Sequence, residues 1–576
     1  MNRLHFHCWW LLLLYSLWGC KQPTPSDKAD LILTNGQVYT LQAAQPWAQA
    51  IAIKGANILA VGDSATILSY ATDSTRIVDL RGQFVMPGFI EGHGHFSALG
   101  NSLMNLNFLQ ARSWGEIVDM VAQRAQRAQP GEWISGRGWH QEKWLQPPTP
   151  QVGGYPLHHS LSARTPYNPV ILRHASGHSL FANEAAMQAA GVTKETPDPK
   201  GGRIVRDAQG NPIGVFEERA MELITQAYQQ YLTTLPKEKR LQQWYEGIER
   251  AQQICLRKGV TSFQDAGSSF EEIARYRQMA AQGKLQVRLW AMLRHSCKEL
   301  QGQLDEFPII DEGEGFFTCR AIKSELDGAL GSYGAWLLEP YHDKPGFSGQ
   351  NTTPIEEVAC IAQLCAEHQM QLCVHAIGDR ANRVWLDLCE EIFKAHPEET
   401  DWRWRSEHAQ HLHPDDIPRF AQLGVIASMQ AIHCTSDAPF VVKRLGQWRA
   451  QTGAYAWRAL LDAGAVVTNG TDTPVEDVDP IASFYASVTR RRPDNGMVFF
   501  AEQVMSRQEA IYAYTMANAY AAFEEDKKGS LEPGKYADLV VLSQNLLHCP
   551  TDSILHTRVL MTIVGGQIKY TQMPEG

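Results

Sequence analysis

The chain has 576 residues, of which 44% are hydrophobic and 20% are charged, and its formal net charge is −10 at pH 7. These values are ordinary for a soluble globular protein, and the length allows several structural units around at least one large core. The sequence has no basic stripe and no Lys-rich or Arg/Gly-rich tail, so we expect no nucleic-acid partner. Nothing in the sequence indicates an oligomeric state.

The first twenty residues, MNRLHFHCWWLLLLYSLWGC, differ from the rest of the chain. One early arginine precedes an apolar run that is short for a membrane span and typical of an export signal. The ending Leu-Trp-Gly-Cys resembles a bacterial lipobox, in which Cys20 is lipid-modified and becomes the N-terminus after cleavage, although Trp18 is bulky for its position. Residues 21–29 are predicted to be a polar linker.

This leader predicts an exported protein that is anchored to a membrane through Cys20 and faces the periplasm. The outer membrane is favoured over the inner one because no Asp follows Cys20. An ordinary cleaved signal and an uncleaved anchor are the alternatives.

Eleven cysteines are present, and two of them, Cys8 and Cys20, belong to the leader. The other nine form no CxxC pair and sit mostly in apolar runs, as do Cys255, Cys360, Cys365 and Cys373. This pattern argues against a disulfide framework and against a thiolate zinc site. We therefore expect buried free thiols, although an oxidising periplasm favours disulfides.

Both ends of the mature chain predict short β-strands. Residues 30–86 include ADLILTNGQVYTL, whose Asn-Gly turn lies between alternating apolar residues, a strong indication of a hairpin. Residues 527–576 include VLMTIVGGQIKY with a Gly-Gly turn. Neither end has enough strands to bury a face alone, so we predict that they pair into one composite β-sandwich.

Residues 87–526 alternate between strand and helix patterns. The strand candidates are GFIEGHGH, VTSFQDAG, VRLWAML, AIKSELDG, LCVHAIGD, WRSEHAQH, GVIASMQ and VVTNGTD. Eight strands separated by helical segments such as IEEVACIAQLCAEHQ are typical of an α/β fold with a (β/α)₈ TIM-like barrel. The segment VILRHASGH is a further strand candidate, and we place it in a large insertion after the first barrel strand, at about 100–250. An insertion of this length predicts a lid over the barrel mouth.

The C-terminal ends of these strands carry residues that bind metals. The first strand offers His93 and His95, and residues i and i+2 of a strand point the same way. Since all eight strand ends meet at one mouth, we expect the whole set to surround a divalent metal: His93, His95, Lys323, His375, His408 and Asp472. Imidazole and carboxylate ligands suit zinc, with manganese, iron or nickel as alternatives.

Lys323 is the unusual member of this set. A charged ammonium beside a cationic metal is costly, whereas a lysine carbamate would be negative and would supply two oxygens that can bridge two ions. The alternative is a salt bridge to Glu325, Asp327 or Asp472 beside a single metal. A metal-activated water would then attack a carbonyl, with Asp472 as the general base.

These motifs resemble the metal-dependent amidohydrolase superfamily and, within it, amidohydrolase family 3. The resemblance rests on PGFIEGHGH, IKSELDGALGS, HAIGDRAN, SEHAQ and TNGTDTPVEDVDP, and it covers essentially all of the mature chain. It implies a barrel with a composite β-sandwich and hydrolysis of a non-peptide C–N bond at a divalent metal. It also assigns the six residues above as metal ligands. Glu91 stands where Asp is common in the family, and no departure removes a ligand.

Residues for substrate contact are predicted from the loops. His433 follows the seventh strand and can donate to a developing oxyanion. Further candidates, each with a packed or salt-bridged side chain as the alternative, are Trp139, His140, His178, Arg444 and Arg458. The predicted substrate is a small-molecule amide or formamide. Alternative functions are a single-metal deaminase or cyclic amidohydrolase and, in another class, a non-catalytic surface lipoprotein that binds a metal or ligand.

Overall fold

The computed structural model describes residues 28–108, 111–141, 144–174, 179–199 and 202–573. The predicted leader with Cys20 and the candidate residue His178 lie outside these ranges. Within these ranges no helix combines the length and the apolar character needed to cross a membrane.

Eight parallel strands form the central barrel, and they are the eight that the sequence predicts. We label them β1 to β8 in chain order: Phe89–Gly94, Val260–Ser268, Arg288–Leu293, Phe317–Glu325, Gln371–Ala376, Arg405–His408, Ile426–Met429 and Val467–Asn469. Neighbours in this order are hydrogen-bonded to each other from β1 to β8. Most of their residues are buried, as expected when helices cover the outer face of a parallel sheet.

The barrel closes just beyond the ends of β8 and β1. The Asp472 backbone N–H donates to the His93 carbonyl at 2.8 Å, and the His95 N–H donates to the Thr473 carbonyl at 2.7 Å. The backbone that closes the barrel therefore belongs to three of the predicted metal ligands.

Helices follow the strands and form the outer layer. The longer ones are Phe96–Met104, Lys237–Arg257, Phe270–Ala281, Ile355–Glu367, Asp379–Ala395, Ala431–Leu445 and Pro480–Thr489. The shorter ones are Cys297–Leu300, Glu312–Gly315, Ile417–Leu423, Gln447–Gly453, Trp457–Asp462, Arg507–Ala513 and Met516–Ala521, with 3₁₀ turns at Pro414–Asp416, Ala501–Gln503 and Thr551–His556. One extra strand, Ile309–Asp311, pairs antiparallel with β4. The helix Ala431–Leu445 begins directly after β7, which places His433 in its first turn.

The two chain ends build a composite β-sandwich, as predicted. One sheet has the strand order Asn57–Gly62, Ala50–Lys54, Leu31–Thr34, Arg76–Asp79, and the helix Ser64–Leu68 packs beside it. The other has the order Gln567–Thr571, Val559–Val564, Leu539–Leu542, Phe84–Pro87, Gln37–Tyr39, Trp47–Ala48. The ends join where Val540 pairs antiparallel with Met86. Apolar side chains from both sheets, including Leu33, Ile53, Val85 and Val541, share one core.

The large insertion leaves the barrel after β1 and returns before β2. Its six-stranded sheet has the order Gly202–Arg206, Pro212–Glu218, Ser179–Ala182, Val170–His174, Ile134–Trp139, Leu106–Asn107. Its other elements are the helices Trp114–Ala125, His159–Arg164, Glu184–Ala189 and Met221–Thr234 and the hairpin Gln151–Val152 with Tyr155–Pro156. The segment VILRHASGH thus supplies a strand of the insertion, as placed from the sequence, and not of the barrel.

One cysteine pair corrects the expectation of free thiols. Cys297 and Cys360 form a disulfide, although Cys360 was expected to be free. The two residues are 63 positions apart in sequence, and the packing of two helices brings their Cα atoms to 6.0 Å. Sequence spacing cannot reveal such a contact. The remaining cysteines of the described chain carry free thiols, and all of these except Cys549 are buried.

Candidate metal centre

The histidines at the end of β1 converge on Asp472. The Nε2 atom of His95 lies 3.1 Å from Asp472 Oδ1, and that of His93 lies 3.7 Å from the same oxygen. On its other side, His93 Nδ1 lies 2.5 Å from the Glu407 carboxylate. Both Nε2 atoms therefore face one carboxylate oxygen at the barrel mouth.

The histidines of β5 and β6 complete the same cluster. The ring of His408 lies 4.8 Å from that of His93 and 4.4 Å from that of His375, measured between centroids. Its Nδ1 atom lies 2.6 Å from the Gln430 side-chain oxygen, which leaves Nε2 directed at the cluster. Four imidazoles from three strands thus meet in one place.

Two of these residues have unusual backbone conformations. The φ angle is 75° at His408 and 57° at Asp472, in the left-handed region that side chains other than glycine rarely adopt. Such conformations persist where surrounding contacts hold them, and here the Asp472 N–H is bonded to the His93 carbonyl. The preceding residue, Thr471, donates its N–H to the buried carboxyl group of Glu91.

Lys323 is buried in the cluster, with 3% of its surface exposed and its Nζ atom 3.5 Å from His93 Nε2. The carboxylates that were expected as alternative partners are used elsewhere. Glu325 binds Arg294, and Asp327 accepts the backbone N–H groups of Trp336, Ile377 and Gly378. Among the described residues, none of the three candidate acids forms an ion pair with Lys323, which corrects the salt-bridge alternative.

Burial and charge set the protonation states in the cluster. Burial lowers the pKa of His93 to about 4 and that of His375 to about 3, so both rings are neutral at pH 7. Burial alone would raise the pKa of Glu407, but the neighbouring groups His93, Arg405 and Lys323 outweigh it and lower this pKa to about 2. An ionised Glu407 on Nδ1–H of His93 fixes the tautomer that offers Nε2 to a metal.

The unpaired atoms of the cluster fit a cation. Several buried polar atoms of the described residues make no hydrogen bond, and those of the cluster include His375 Nε2, His433 Nε2 and Asp472 Oδ1. Leaving such atoms unsatisfied is costly; a cation would satisfy His375 Nε2 and Asp472 Oδ1, and His433 Nε2 is left to hydrogen-bond to a bound group. Two triads that share Asp472 have ligand atoms within 4.8 Å of one another: His93, His95, Asp472 and His408, His433, Asp472. These nitrogen and oxygen donors suit a divalent transition metal.

Among the predicted substrate residues, His433 lies at this cluster, whereas His140 and Arg444 contact residues outside it. The Nε2 atom of His433 is 3.9 Å from Asp472 Oδ2. His140 packs against His174 in the insertion, with ring centroids 4.6 Å apart. Arg444 binds Asp343 in the loop that follows β4, so its guanidinium supports that loop.

Two predictions of substrate contact are corrected. Trp139 is fully buried in the core of the insertion, and its indole N–H donates to the Leu172 carbonyl at 2.9 Å. Arg458 lies on the outer helix Trp457–Asp462, where it binds Asp462 and Glu509. Both side chains are engaged by local partners, because a position in a loop or insertion does not show which way a side chain points.

Two acids and one amide that were not predicted from the sequence orient the ligands. Glu407 and Gln430 bond to His93 and His408, as described above. Asp265, at the end of β2, accepts the Phe96 N–H at 2.8 Å and so holds the start of the helix that follows His95. Each of these residues lies within a strand-end motif, SEHAQ, SMQ or FQDAG, and this proximity was the available signal.

A buried group of imidazoles and carboxylates at the mouth of a (β/α)₈ barrel defines a metal-dependent hydrolase. The chain belongs to the amidohydrolase family, whose sequence model matches residues 76–570. It is therefore a hydrolase that acts on carbon–nitrogen bonds other than peptide bonds.

Individual relatives match over nearly the whole chain. Protein LONG AFTER FAR-RED 3 of Arabidopsis thaliana is 32% identical and covers 95% of this chain and 93% of its own length. N-substituted formamide deformylase of Arthrobacter pascens is 27% identical, with coverage of 94% and 98%. The crystal structure of an uncharacterized metal-dependent hydrolase from Pyrococcus horikoshii OT3 superposes with a TM-score of 0.71 at 26% identity and covers 91% of this chain and 99% of that one.

Replacing Glu407 tests its effect on metal affinity. In Glu407→Gln the neutral amide no longer polarises the His93 ring, so we expect zinc affinity to fall by about 10–100-fold. Affinity is measured by competition with a chromogenic chelator. The matched control is Glu325→Gln, whose carboxylate lies at the end of β4 but binds Arg294. Equal zinc affinity in Glu407→Gln and the wild type would contradict the assignment.

Proposed function

We propose that the protein hydrolyses an amide or formamide bond of a small molecule. The observation that carries the proposal is the shared position of Asp472, whose two carboxylate oxygens face His95 at 3.1 Å and His433 at 3.9 Å. A carboxylate between a candidate metal triad and a candidate oxyanion donor is placed to move a proton during acyl transfer. Similarity to N-substituted formamide deformylase over 94% of the chain supports the formamide option.

Two divalent ions, with zinc favoured over manganese, iron or nickel, are proposed for the cluster. The ligands would be His93, His95, His375, His408, Asp472 and a carbamate formed from Lys323 and CO₂. Burial lowers the pKa of Lys323, which favours the neutral amine that reacts with CO₂. Its carbamate would be negative and would offset the charge of the ions without a carboxylate partner.

Residues of the chain are proposed for proton transfer, for stabilising the developing negative charge and for orienting the ligands. When bound, a divalent ion supplies Lewis acidity and lowers the pKa of water. Asp472 accepts the proton of the attacking water and returns it to the leaving nitrogen. His433 Nε2 donates a hydrogen bond to the carbonyl oxygen as negative charge develops there. Glu407 and Gln430 hold His93 and His408 in place, so little reorganisation accompanies the reaction.

An exported, lipid-anchored location is proposed from the leader. The disulfide between Cys297 and Cys360 supports it, since disulfides persist in oxidising compartments. In a Gram-negative host, the wild type is expected in the membrane fraction with a lipidated Cys20, detected by mass spectrometry of the N-terminal peptide. Cys20→Ala is expected to lose the lipid, and an unmodified N-terminal peptide in the wild type would refute the anchor.

A substrate panel tests the proposed reaction. Purified protein is incubated with N-substituted formamides, N-acyl amino acids, dipeptides and cyclic ureas, and the released amine or acid is quantified. We expect hydrolysis of at least one formamide or simple amide, and a fall in kcat by a factor of about 10³ in Asp472→Asn because the proton acceptor is lost. Full activity of Asp472→Asn with metal still bound would refute its role, and a wholly inactive wild type would refute the proposed reaction.

Metal content distinguishes the binuclear from the single-metal proposal. Protein purified with bicarbonate and without chelator is expected to contain about two ions per chain by elemental analysis, since a carbamate on Lys323 would add two oxygen ligands to the four imidazoles and Asp472. Lys323→Ala is expected to contain about one ion and to lose most activity. One ion in the wild type, with activity retained in Lys323→Ala, would favour the single-metal deaminase or cyclic amidohydrolase.

A further inference from the structure

A residue of the insertion reaches the loop that carries Asp472. Arg137 lies in the insertion strand Ile134–Trp139, and its Nη1–H donates to the Pro474 carbonyl at 2.6 Å. The two residues are 337 positions apart in sequence, and the bond is partly buried. A charged donor makes a stronger hydrogen bond to a carbonyl than a neutral one does, and partial burial shields it from water.

The acceptor belongs to a short and tightly bonded loop. Pro474 follows Asp472 by two residues, and the Val475 N–H donates back to the Asp472 carbonyl at 2.8 Å. The intervening Thr473 carbonyl accepts the His95 N–H at 2.7 Å. Any shift of Pro474 is therefore passed to Asp472, whose positive φ leaves it dependent on these contacts.

The strand of Arg137 is itself tied to the other side of the site. Arg137 pairs with Asn107, and its carbonyl accepts the Phe108 N–H at 2.8 Å. This segment directly follows the helix Phe96–Met104, which begins next to His95. The chain thus forms a closed path from His95 through the helix and the insertion sheet to Arg137, Pro474 and Asp472, and back to His95.

We propose that Arg137 is a positioning residue through which the insertion holds Asp472 against His95. The insertion is then part of the framework of the site. Removing the Arg137 bond changes no residue of the metal cluster but releases one of the bonds that fix the Asp472 loop. This inference rests on the proposed catalytic role of Asp472. A small misplacement of a catalytic group can cost about 10²-fold in rate.

The test compares three variants by activity, metal content and hydrogen exchange. Arg137→Met keeps the apolar stem and removes the donors, and Arg137→Lys keeps a cationic donor. The matched control is Arg173→Met, since Arg173 is the strand neighbour of Arg137 and its side chain is exposed. Amide exchange is followed by mass spectrometry in peptides that contain Asp472 and Val475.

In Arg137→Met we expect faster exchange at these amides and a fall in kcat of about 10–100-fold, with unchanged metal content and a KM within about threefold. Arg137→Lys is expected to recover a substantial part of kcat, and Arg173→Met to match the wild type. Unchanged exchange in Arg137→Met would overturn the proposal, as would faster exchange with unchanged kcat. Hydrogen exchange is measured without substrate, so the two proposals are tested separately. A wild type that hydrolyses no substrate would refute the proposed reaction. Unchanged exchange in Arg137→Met would refute the role of Arg137.

Discussion

The rest of the site depends on the backbone bonds that close the barrel between β8 and β1. A (β/α)₈ barrel must join its last strand to its first, and here the joining bonds run from Asp472 to His93 and from His95 to Thr473. The closure and the cluster therefore use the same residues. A fold that did not close would separate the β1 histidines from their shared carboxylate. The geometry of the cluster therefore depends on the closure of the barrel.

Burial of so many polar groups requires compensation. Five imidazoles, an amine and two carboxylates lie at the barrel mouth, and each loses hydration there. Part of the compensation comes from within the chain, where Glu407 and Gln430 occupy the Nδ1 atoms of His93 and His408. In this cluster, buried atoms of His375, His433 and Asp472 have no hydrogen-bond partner among the described residues. A bound cation would compensate for the lost hydration of His375 and Asp472.

The sequence predicted the barrel well because its strands alternate regularly with helices and their ends carry recognisable motifs. It also predicted which residues meet, since the C-terminal ends of parallel strands share one mouth. It did not predict which loop residues face that mouth. Trp139 packs inside the insertion and Arg458 binds acids on outer helices. The direction of such side chains depends on tertiary packing, which the spacing of residues in the sequence does not show. The disulfide between Cys297 and Cys360 was missed for the same reason.

The supports of the cluster come from two layers of the molecule. Glu407, Gln430 and the closing backbone bonds hold the ligands from within the barrel or directly at its strand ends. The surrounding loops are held separately. Asp327, in the loop after β4, accepts the N–H groups of Trp336 in that loop and of Ile377 and Gly378 after β5, and Arg137 links the insertion to the Asp472 loop. The loops beyond these anchor points can vary without disturbing the ligands. Substrate choice can therefore differ among relatives that share the same barrel and metal chemistry.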